Sequence, residues 1–127
     1  MSKRSLIALV CGVLSVPLIL TSCGQPVADQ VTSFTPDDAV VVIDVRTPEE
    51  YAAGHLQSAV NIDISDDVAF AIELVPYPHD GTYLLYCRSG QRAETAKAVM
   101  EMINYTDVTN LGSLENAADY TGLPIVK

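Results

Sequence analysis

In the sequence, TYLLYC (residues 82–87) runs directly into RSGQRAETAKAVMEMIN (residues 88–104), and this stretch decides the fold. The first part is apolar and predicts a buried strand. The second part predicts a helix, because its apolar residues recur at helical spacing on one side. Those residues are Ala93, Ala96, Val99, Met100 and Ile103. A strand followed by a loop and a helix is the repeating unit of an α/β sheet.

Outward from this stretch, strands and helices alternate. Further strands are predicted at VVVIDV (40–45), AVNI (59–62) and DVTNL (107–111). Further helices are predicted at TPEEYAAGH (47–55), SDDVAFAIELV (65–75) and SLENAADYTG (113–122). This alternation favours an α/β fold of three layers, in which a central parallel sheet carries helices on both faces.

Several helix boundaries carry their own signals. Thr47 can cap a helix, Pro48 suits its first position, and Glu50 completes a capping box. Gly54 is placed to end that helix. The next helix is predicted to start at Ser65, which two aspartates follow. Asn104 can end the helix that begins after the cysteine loop.

The amino-terminal residues have the pattern of an export signal. MSKRS is positively charged, and the apolar run at 6–20 is short for a membrane span and contains Pro17. LTSC, residues 20–23, resembles the lipobox of bacterial lipoproteins, in which the cysteine carries lipid. We therefore predict a lipoprotein signal peptide at 1–22, lipidation at Cys23, a tether at 23–37 and a folded domain at 38–127. A plain cleaved signal peptide and an uncleaved anchor are the alternatives.

This pattern predicts an exported protein, lipid-anchored to the periplasmic or extracellular face of a bacterial membrane. The chain has a net charge of −9 and a pI of about 4.3. Loss of residues 1–22 would remove Lys3 and Arg4 and take the charge from −9 to −11. Such an acidic chain lacks the basic surface that nucleic-acid binding requires.

Cys87 stands at the carboxyl end of its predicted strand, where parallel sheets bind ligands. If Cys23 carries lipid and Cys11 is removed, Cys87 has no disulfide partner, so it is either buried and inert or kept for its reactivity. The loop leads into a helix amino terminus, whose free amides form a seat for an anion. Gly90 allows the backbone to approach closely, and such a seat favours a thiolate.

Two of the five basic residues that follow residue 22, Arg88 and Arg92, fall in this one loop. A cation near a helix amino terminus opposes the helix dipole. A local function, the recruitment of an anion against an acidic background, explains their position better than random surface charge.

Two motifs together resemble the rhodanese-domain sulfurtransferases. CRSGQRA, residues 87–93, is similar to the active-site loop of that family. IDVRTPEEYAAGHLQSAVNI, residues 43–62, is similar to its other signature. The resemblance covers most of residues 38–127 and implies a rhodanese-like three-layer fold.

The resemblance implies sulfur transfer through a persulfide on Cys87, from a small anionic donor such as thiosulfate to cyanide or a thiol. It implies no metal and no organic cofactor. The residues assigned to substrate binding are Arg88, Ser89, Gly90, Gln91 and Arg92. Arg92 could instead orient the loop from within. Asp44 and Arg46 are predicted to be a supporting ion pair or hydrogen-bonding pair near the site, with a direct substrate role as the alternative.

Other readings of the loop stay open. One is a phosphatase or arsenate reductase, although only four residues separate Cys87 from Arg92 where those enzymes have five. A second is a non-catalytic module that binds a partner. A third is persulfide traffic with a thiol partner protein. Glu49 and Glu50 are explained by the first turn of a helix, and His55 and His79 are poor metal candidates.

Overall fold

The computed structural model describes residues 40–127. The predicted signal peptide at 1–22, the tether at 23–37 and Cys23 lie outside the described residues. The strands are β1 (Val40–Asp44), β2 (His55–Leu56), β3 (Val60–Asn61), β4 (Thr82–Cys87), β5 (Asp107–Ser113) and β6 (Ile125–Val126). The helices are α1 (Pro48–Ala53), α2 (Asp67–Glu73), α3 (Gln91–Met102) and α4 (Leu114–Thr121).

The main sheet has four strands in the order β3-β1-β4-β5. Each adjacent pair is parallel, so the predicted parallel sheet is confirmed. The carboxyl ends of β1 and β4 lie side by side in the middle of this sheet, since Asp44 is in register with Tyr86. The residues that follow these two strands therefore meet at one edge.

Alternate residues of the central strands contribute to two separate hydrophobic cores, because side chains along a strand point to opposite faces of the sheet. The first core joins β1 and β4 to α2 and α3 and contains Ile43, Leu85, Phe70 and Met100. The second joins the same strands to α4 and β2 and contains Val42, Leu84, Leu56 and Ala117. The sheet is thus covered on both faces, and the predicted three layers are confirmed.

The helix boundaries follow their capping residues. The Thr47 hydroxyl accepts a hydrogen bond from the Glu50 amide, and the Glu50 carboxylate accepts one from the Thr47 amide, so the predicted capping box is confirmed. The predicted start of α2 at Ser65 is wrong. Asp66 is the cap, because its carboxylate accepts hydrogen bonds from two amides of the first turn, whereas the Ser65 hydroxyl donates to Asp63.

A second sheet was not predicted. It consists of β2 and β6, which pair antiparallel, with His55 opposite Val126. The Leu56 amide donates to the Tyr86 hydroxyl across 3.0 Å, which ties this small sheet to β4. No helix within residues 40–127 combines the length and apolar character needed to cross a membrane.

Candidate active site

Cys87 is the last residue of β4 and is fully buried. The Gly90 amide donates a hydrogen bond to its sulfur across 2.9 Å. The amides of Ser89, Arg92 and Ala93 lie near enough to the sulfur to lower the pKa of the thiol. The chain after β4 therefore curls around Sγ and presents a set of N–H groups to it.

The sulfur lies where a helix-capping side chain normally lies. Gly90 immediately precedes α3 and supplies no side-chain cap. The amides of the first turn, which usually bond to a Ser, Thr, Asp or Asn side chain, act instead on the Cys87 sulfur. An anionic sulfur is favoured here, because it meets both unpaired N–H groups and the positive end of the helix dipole.

Two opposing effects set the pKa of the Cys87 thiol. Burial is the largest single effect and raises the pKa. The hydrogen bonds from four backbone amides together outweigh burial, and the pKa lies below its ordinary value. The geometry thus favours the thiolate, which is the nucleophilic form of cysteine.

Gly90 is required by the shape of this loop. Its φ is 93°, in the left-handed region where side chains are strained. A Cβ added at this position would lie 3.2 Å from the Gly112 Cα. The loop and the end of β5 are therefore in backbone contact.

Arg92 is bound to a carboxylate within the protein. Its guanidinium forms two hydrogen bonds with Glu50, at 2.7 and 2.9 Å. The Arg92 hydrogen bond lowers the pKa of Glu50 to about 2. Arg92 was predicted among the substrate-binding residues, with loop orientation as the alternative, and the observed contact joins it to Glu50 of α1.

Asp44 and Arg46 form the predicted pair. The Arg46 Nε and Nη2 atoms lie 2.9 and 2.6 Å from the Asp44 carboxylate oxygens, and both residues are buried. Arg46 Nη2 also donates to the Gly54 carbonyl across 2.6 Å. Its hydrogen bond to Asp44 raises the pKa of Arg46 further above its ordinary value. These contacts join the Arg46 guanidinium to Asp44 and to Gly54, so Arg46 has a structural role beside the site.

Arg88 is the exposed cation of the loop. Together with Arg46 and Glu50 it lines a depression of about 280 Å³, whose other walls come from Ala53, Leu114 and Glu115. Ser89 and Gln91 face the other side of the loop and line a second depression of about 450 Å³. The predicted site residues thus gather at one edge of the sheet, but they divide between two faces of the loop.

The structure adds residues that the sequence analysis did not select. Asn110 donates to the Gly90 carbonyl across 3.0 Å, and Gly112 touches the loop backbone. Glu50 was assigned only to helix capping, yet it also holds Arg92. Asn110 was open to prediction, since a polar residue near the carboxyl end of a parallel strand lies at the ligand-binding edge. The sequence around either residue does not indicate that Glu50 pairs with Arg92.

Within residues 40–127, no three His, Cys, Asp or Glu side chains are grouped closely enough to hold a metal ion. His55 stacks on Tyr51, and its Nδ1 lies 2.9 Å from the Tyr51 carbonyl. His79 is exposed and stacks on Tyr105. Both histidines therefore have structural contacts.

The family model for the rhodanese-like domain matches residues 27–118 of this sequence. The chain belongs to the rhodanese family. The thiosulfate sulfurtransferase PspE of Escherichia coli is 37% identical over 76 residues, which cover 60% of this chain and 72% of PspE. The tRNA uridine(34) hydroxylase of Pectobacterium carotovorum is 30% identical over 105 residues, and this rhodanese domain spans only 30% of its length.

Solved structures agree with this membership. A rhodanese with anions from E. coli superimposes with a TM-score of 0.60 at 35% identity, and the match covers 70% of this chain and 99% of that one. The protein hp1203 from Helicobacter pylori gives a TM-score of 0.56 at 31% identity, over 70% of this chain and 79% of that one. The predicted rhodanese fold is confirmed, and the family relatives support a function of the sulfurtransferase type.

Proposed function

We propose that this rhodanese-family protein transfers sulfane sulfur from a donor such as thiosulfate to a thiophilic acceptor, through a persulfide on Cys87. One observation carries the proposal: a buried thiol at the end of a central strand accepts a hydrogen bond from the Gly90 amide, directly before a twelve-residue helix. Neither step of this chemistry requires a metal or an organic cofactor.

In the first step, the Cys87 thiolate attacks the outer sulfur of thiosulfate. A new S–S bond forms to Cys87, the S–S bond of thiosulfate breaks, and sulfite leaves with the electron pair. The product is a persulfide anion whose charge rests on the outer sulfur. Amides already aimed into the loop can stabilise that charge without reorganisation.

In the second step, an acceptor nucleophile attacks the outer sulfur of the persulfide. The S–S bond to Cys87 breaks, and the cysteine leaves as a thiolate. Cyanide yields thiocyanate, and a thiol yields a new persulfide after losing its proton. The two steps are a case of covalent catalysis with an activated nucleophile.

The cations of the loop are proposed to have separate roles. Arg88 is exposed and beside the depression, so it would bind the sulfonate oxygens of a donor. Arg92 would hold the loop through Glu50. Because Cys87 is fully buried, donor entry requires movement of the residues that cover its sulfur. The commitment of Arg92 to Glu50 also argues against a phosphatase, in which that arginine would bind phosphate.

Cys87→Ser provides the direct test. We expect thiosulfate to add one sulfur atom to the intact mass of the wild-type protein, with the addition mapping to the peptide that contains Cys87. The variant should lose this addition and the formation of thiocyanate from thiosulfate and cyanide. Cys23→Ser is the matched control and should keep both. Thiocyanate formation at the wild-type rate in Cys87→Ser would refute the mechanism, whereas an inactive wild type would favour the partner-binding module.

We also propose that the protein is exported and anchored by lipid on Cys23, on the basis of the LTSC sequence at residues 20–23. One acyl chain holds a protein to a membrane only marginally, whereas two or more hold it stably. Labelled fatty acid should enter the wild type and Cys11→Ala but not Cys23→Ala when each is expressed in a bacterium. Equal labelling of all three proteins would refute the assignment.

A further inference from the structure

The side chain of Asn110 connects β5 to the Cys87 loop. Its Nδ2 donates to the Gly90 carbonyl across 3.0 Å and to the Glu94 carboxylate across 2.9 Å. Its Oδ1 accepts a hydrogen bond from the Gly112 amide, also across 2.9 Å. Both ends of the carboxamide are thus engaged, and the orientation of the side chain is fixed by three partners.

An irregularity in β5 directly follows Asn110. Leu85 is in register with Asn110, but Cys87 is in register with Ser113, so β5 contains one extra residue over this span. Bulges of this kind redirect side chains and are frequent beside active sites. The bond between Asn110 and Gly112 closes across the irregularity and holds it in shape.

Gly90 is held from two sides. Its amide donates to the Cys87 sulfur across 2.9 Å, and its carbonyl accepts from Asn110 across 3.0 Å and from the Glu94 amide across 2.9 Å. A glycine at a φ of 93° has more backbone freedom than any other residue, so an outside contact is needed to keep its amide on target. Within residues 40–127, the side-chain donor to the Gly90 carbonyl is Asn110.

We propose that Asn110 is a positioning residue of the active site, which holds Gly90 so that its amide stays directed at the Cys87 sulfur. The inference rests on the proposed function only in taking Cys87 as the reactive group. The N–H and the carbonyl of Gly90 belong to successive peptide groups, which are joined at the Gly90 Cα. Without Asn110, the carbonyl keeps only the bond from the Glu94 amide, and the backbone angles of Gly90 are less restricted. The hydrogen bond from the Gly90 amide to the thiolate is then weakened, and the thiolate becomes less favourable.

The test is the pH dependence of Cys87 alkylation by iodoacetamide in the full chain, followed on the peptide that contains Cys87. Asn110→Ala removes the contact and alters no charge. The charged side chains around the loop are the same as in the wild type, namely Arg46, Glu50, Asp63, Arg88, Arg92, Glu94 and Glu115. Asn110→Asp has the same shape and can still accept from Gly112, but it cannot donate to Gly90. Thr109→Ala, at the exposed neighbouring position of β5, is the matched control.

We expect the midpoint of alkylation to rise in both Asn110 variants and to stay unchanged in Thr109→Ala. A rise of half to one pH unit lowers the rate about three- to ten-fold at a fixed pH below the midpoint. A lower unfolding temperature in Asn110→Ala without a change in midpoint would overturn the proposal, since it would mark a purely structural role. A shift in Asn110→Asp alone would also overturn it, because added charge would then explain the effect.

This readout is independent of sulfur transfer. If the wild type shows a low alkylation midpoint but gains no sulfur from thiosulfate, the proposed function fails while the role of Asn110 is still measured. If Asn110→Ala does not fold, the isosteric Asn110→Asp is compared with Glu94→Gln, which changes charge beside the same carboxamide. Asn110→Asp adds a negative charge and Glu94→Gln removes one, so charge alone would move the two midpoints by similar amounts in opposite directions. A rise in Asn110→Asp larger than the fall in Glu94→Gln supports the proposal, and a rise and a fall of equal size contradict it.

Discussion

Arg88 and Arg92 are four residues apart and have different surroundings. Arg92 forms two hydrogen bonds with Glu50, whereas Arg88 is exposed and, within residues 40–127, has no carboxylate within salt-bridge distance. The sequence assigned both to substrate binding and kept loop orientation as the alternative for Arg92, because spacing along a loop does not reveal which carboxylate another helix will bring near. The long-range pair with α1 is what distinguishes them.

Replacing Arg88 should therefore affect donor binding. A charge-assisted hydrogen bond contributes about 1.5–3 kcal/mol, and about 1.4 kcal/mol corresponds to a tenfold change in binding. We expect Arg88→Ala to raise the KM for thiosulfate at least about tenfold and to leave the unfolding temperature nearly unchanged. Lys97→Ala removes the same charge on α3 and serves as the control. An unchanged KM in Arg88→Ala would show that this guanidinium does not contact the donor.

Because of Glu50, the stability of the folded protein should depend on pH in the acidic range. Its pKa lies at about 2 in the folded state, against 4.5 without the fold, mainly because Arg92 hydrogen-bonds to it. A lowered carboxyl pKa stabilises the fold fully above the unfolded value, and the effect is lost as the pH falls from about 4.5 towards 2.

Glu50→Gln isolates this pair, since glutamine can still complete the capping box with Thr47. At neutral pH, we expect the variant to unfold with a free energy lower by up to about 1 kcal/mol, the size expected of a half-exposed ion pair. The difference between wild type and variant should shrink below pH 4.5, as measured by urea unfolding. A difference that stays constant down to pH 2 would contradict the role of the charge.

At the scale of the elements, the sequence predicted what local chemistry determines. β4 runs from Thr82 to Cys87 as expected, because an apolar run ends there in a polar loop. The cap of α2 was misplaced by one residue, since Ser65 and Asp66 are both good caps and the choice depends on backbone angles. The β2 and β6 strands, of two residues each, escaped prediction because His55 and its partner Val126 stand near opposite ends of the domain sequence and neither strand carries a pattern of its own.

α3 starts directly after Gly90, where a side chain would face two obstacles, a positive φ and a close neighbour. The two obstacles can be tested separately. Gly90 and Gly122 both adopt positive φ, at 93° and 69°. A Cβ at Gly122 meets no atom within 4 Å, whereas one at Gly90 would meet Gly112 at 3.2 Å. Gly122→Ala therefore carries the conformational cost alone, about 1–2 kcal/mol.

We expect Gly90→Ala to lose more unfolding free energy than Gly122→Ala, because the loop must also move away from β5. The same movement carries the Gly90 amide off the Cys87 sulfur, so sulfur loading from thiosulfate should fall in Gly90→Ala and persist in Gly122→Ala. Chemical unfolding and intact mass after thiosulfate measure the two effects. Equal losses of stability in the two variants would mean that the contact with Gly112 is not tight.

For the whole molecule, the edge of the sheet at which the site lies was predictable, and its internal contacts were not. Alternation of strands and helices requires the loops after β1 and β4 to meet at one edge, and Asp44, Arg46 and Cys87 do meet there. The contribution of Asn110 depends on where β5 places it beside the loop, and that of Glu50 depends on the ion pair that joins α1 to α3. Those features arise only when the three layers assemble.

The overall charge should govern how fast an anionic donor reaches this site. The chain carries −9, so its long-range field repels the thiosulfate dianion, while Arg88 and the α3 amides attract it at short range. Salt screens the long-range part beyond about 8 Å at physiological ionic strength and leaves contacts in the loop largely intact.

We expect kcat/KM for thiosulfate to rise several-fold as sodium chloride is added from low ionic strength. Alkylation of Cys87 by neutral iodoacetamide is the control and should stay nearly constant. A kcat/KM that falls with salt would show that Arg88 and its neighbours attract the donor over a longer range than the acidic surface repels it.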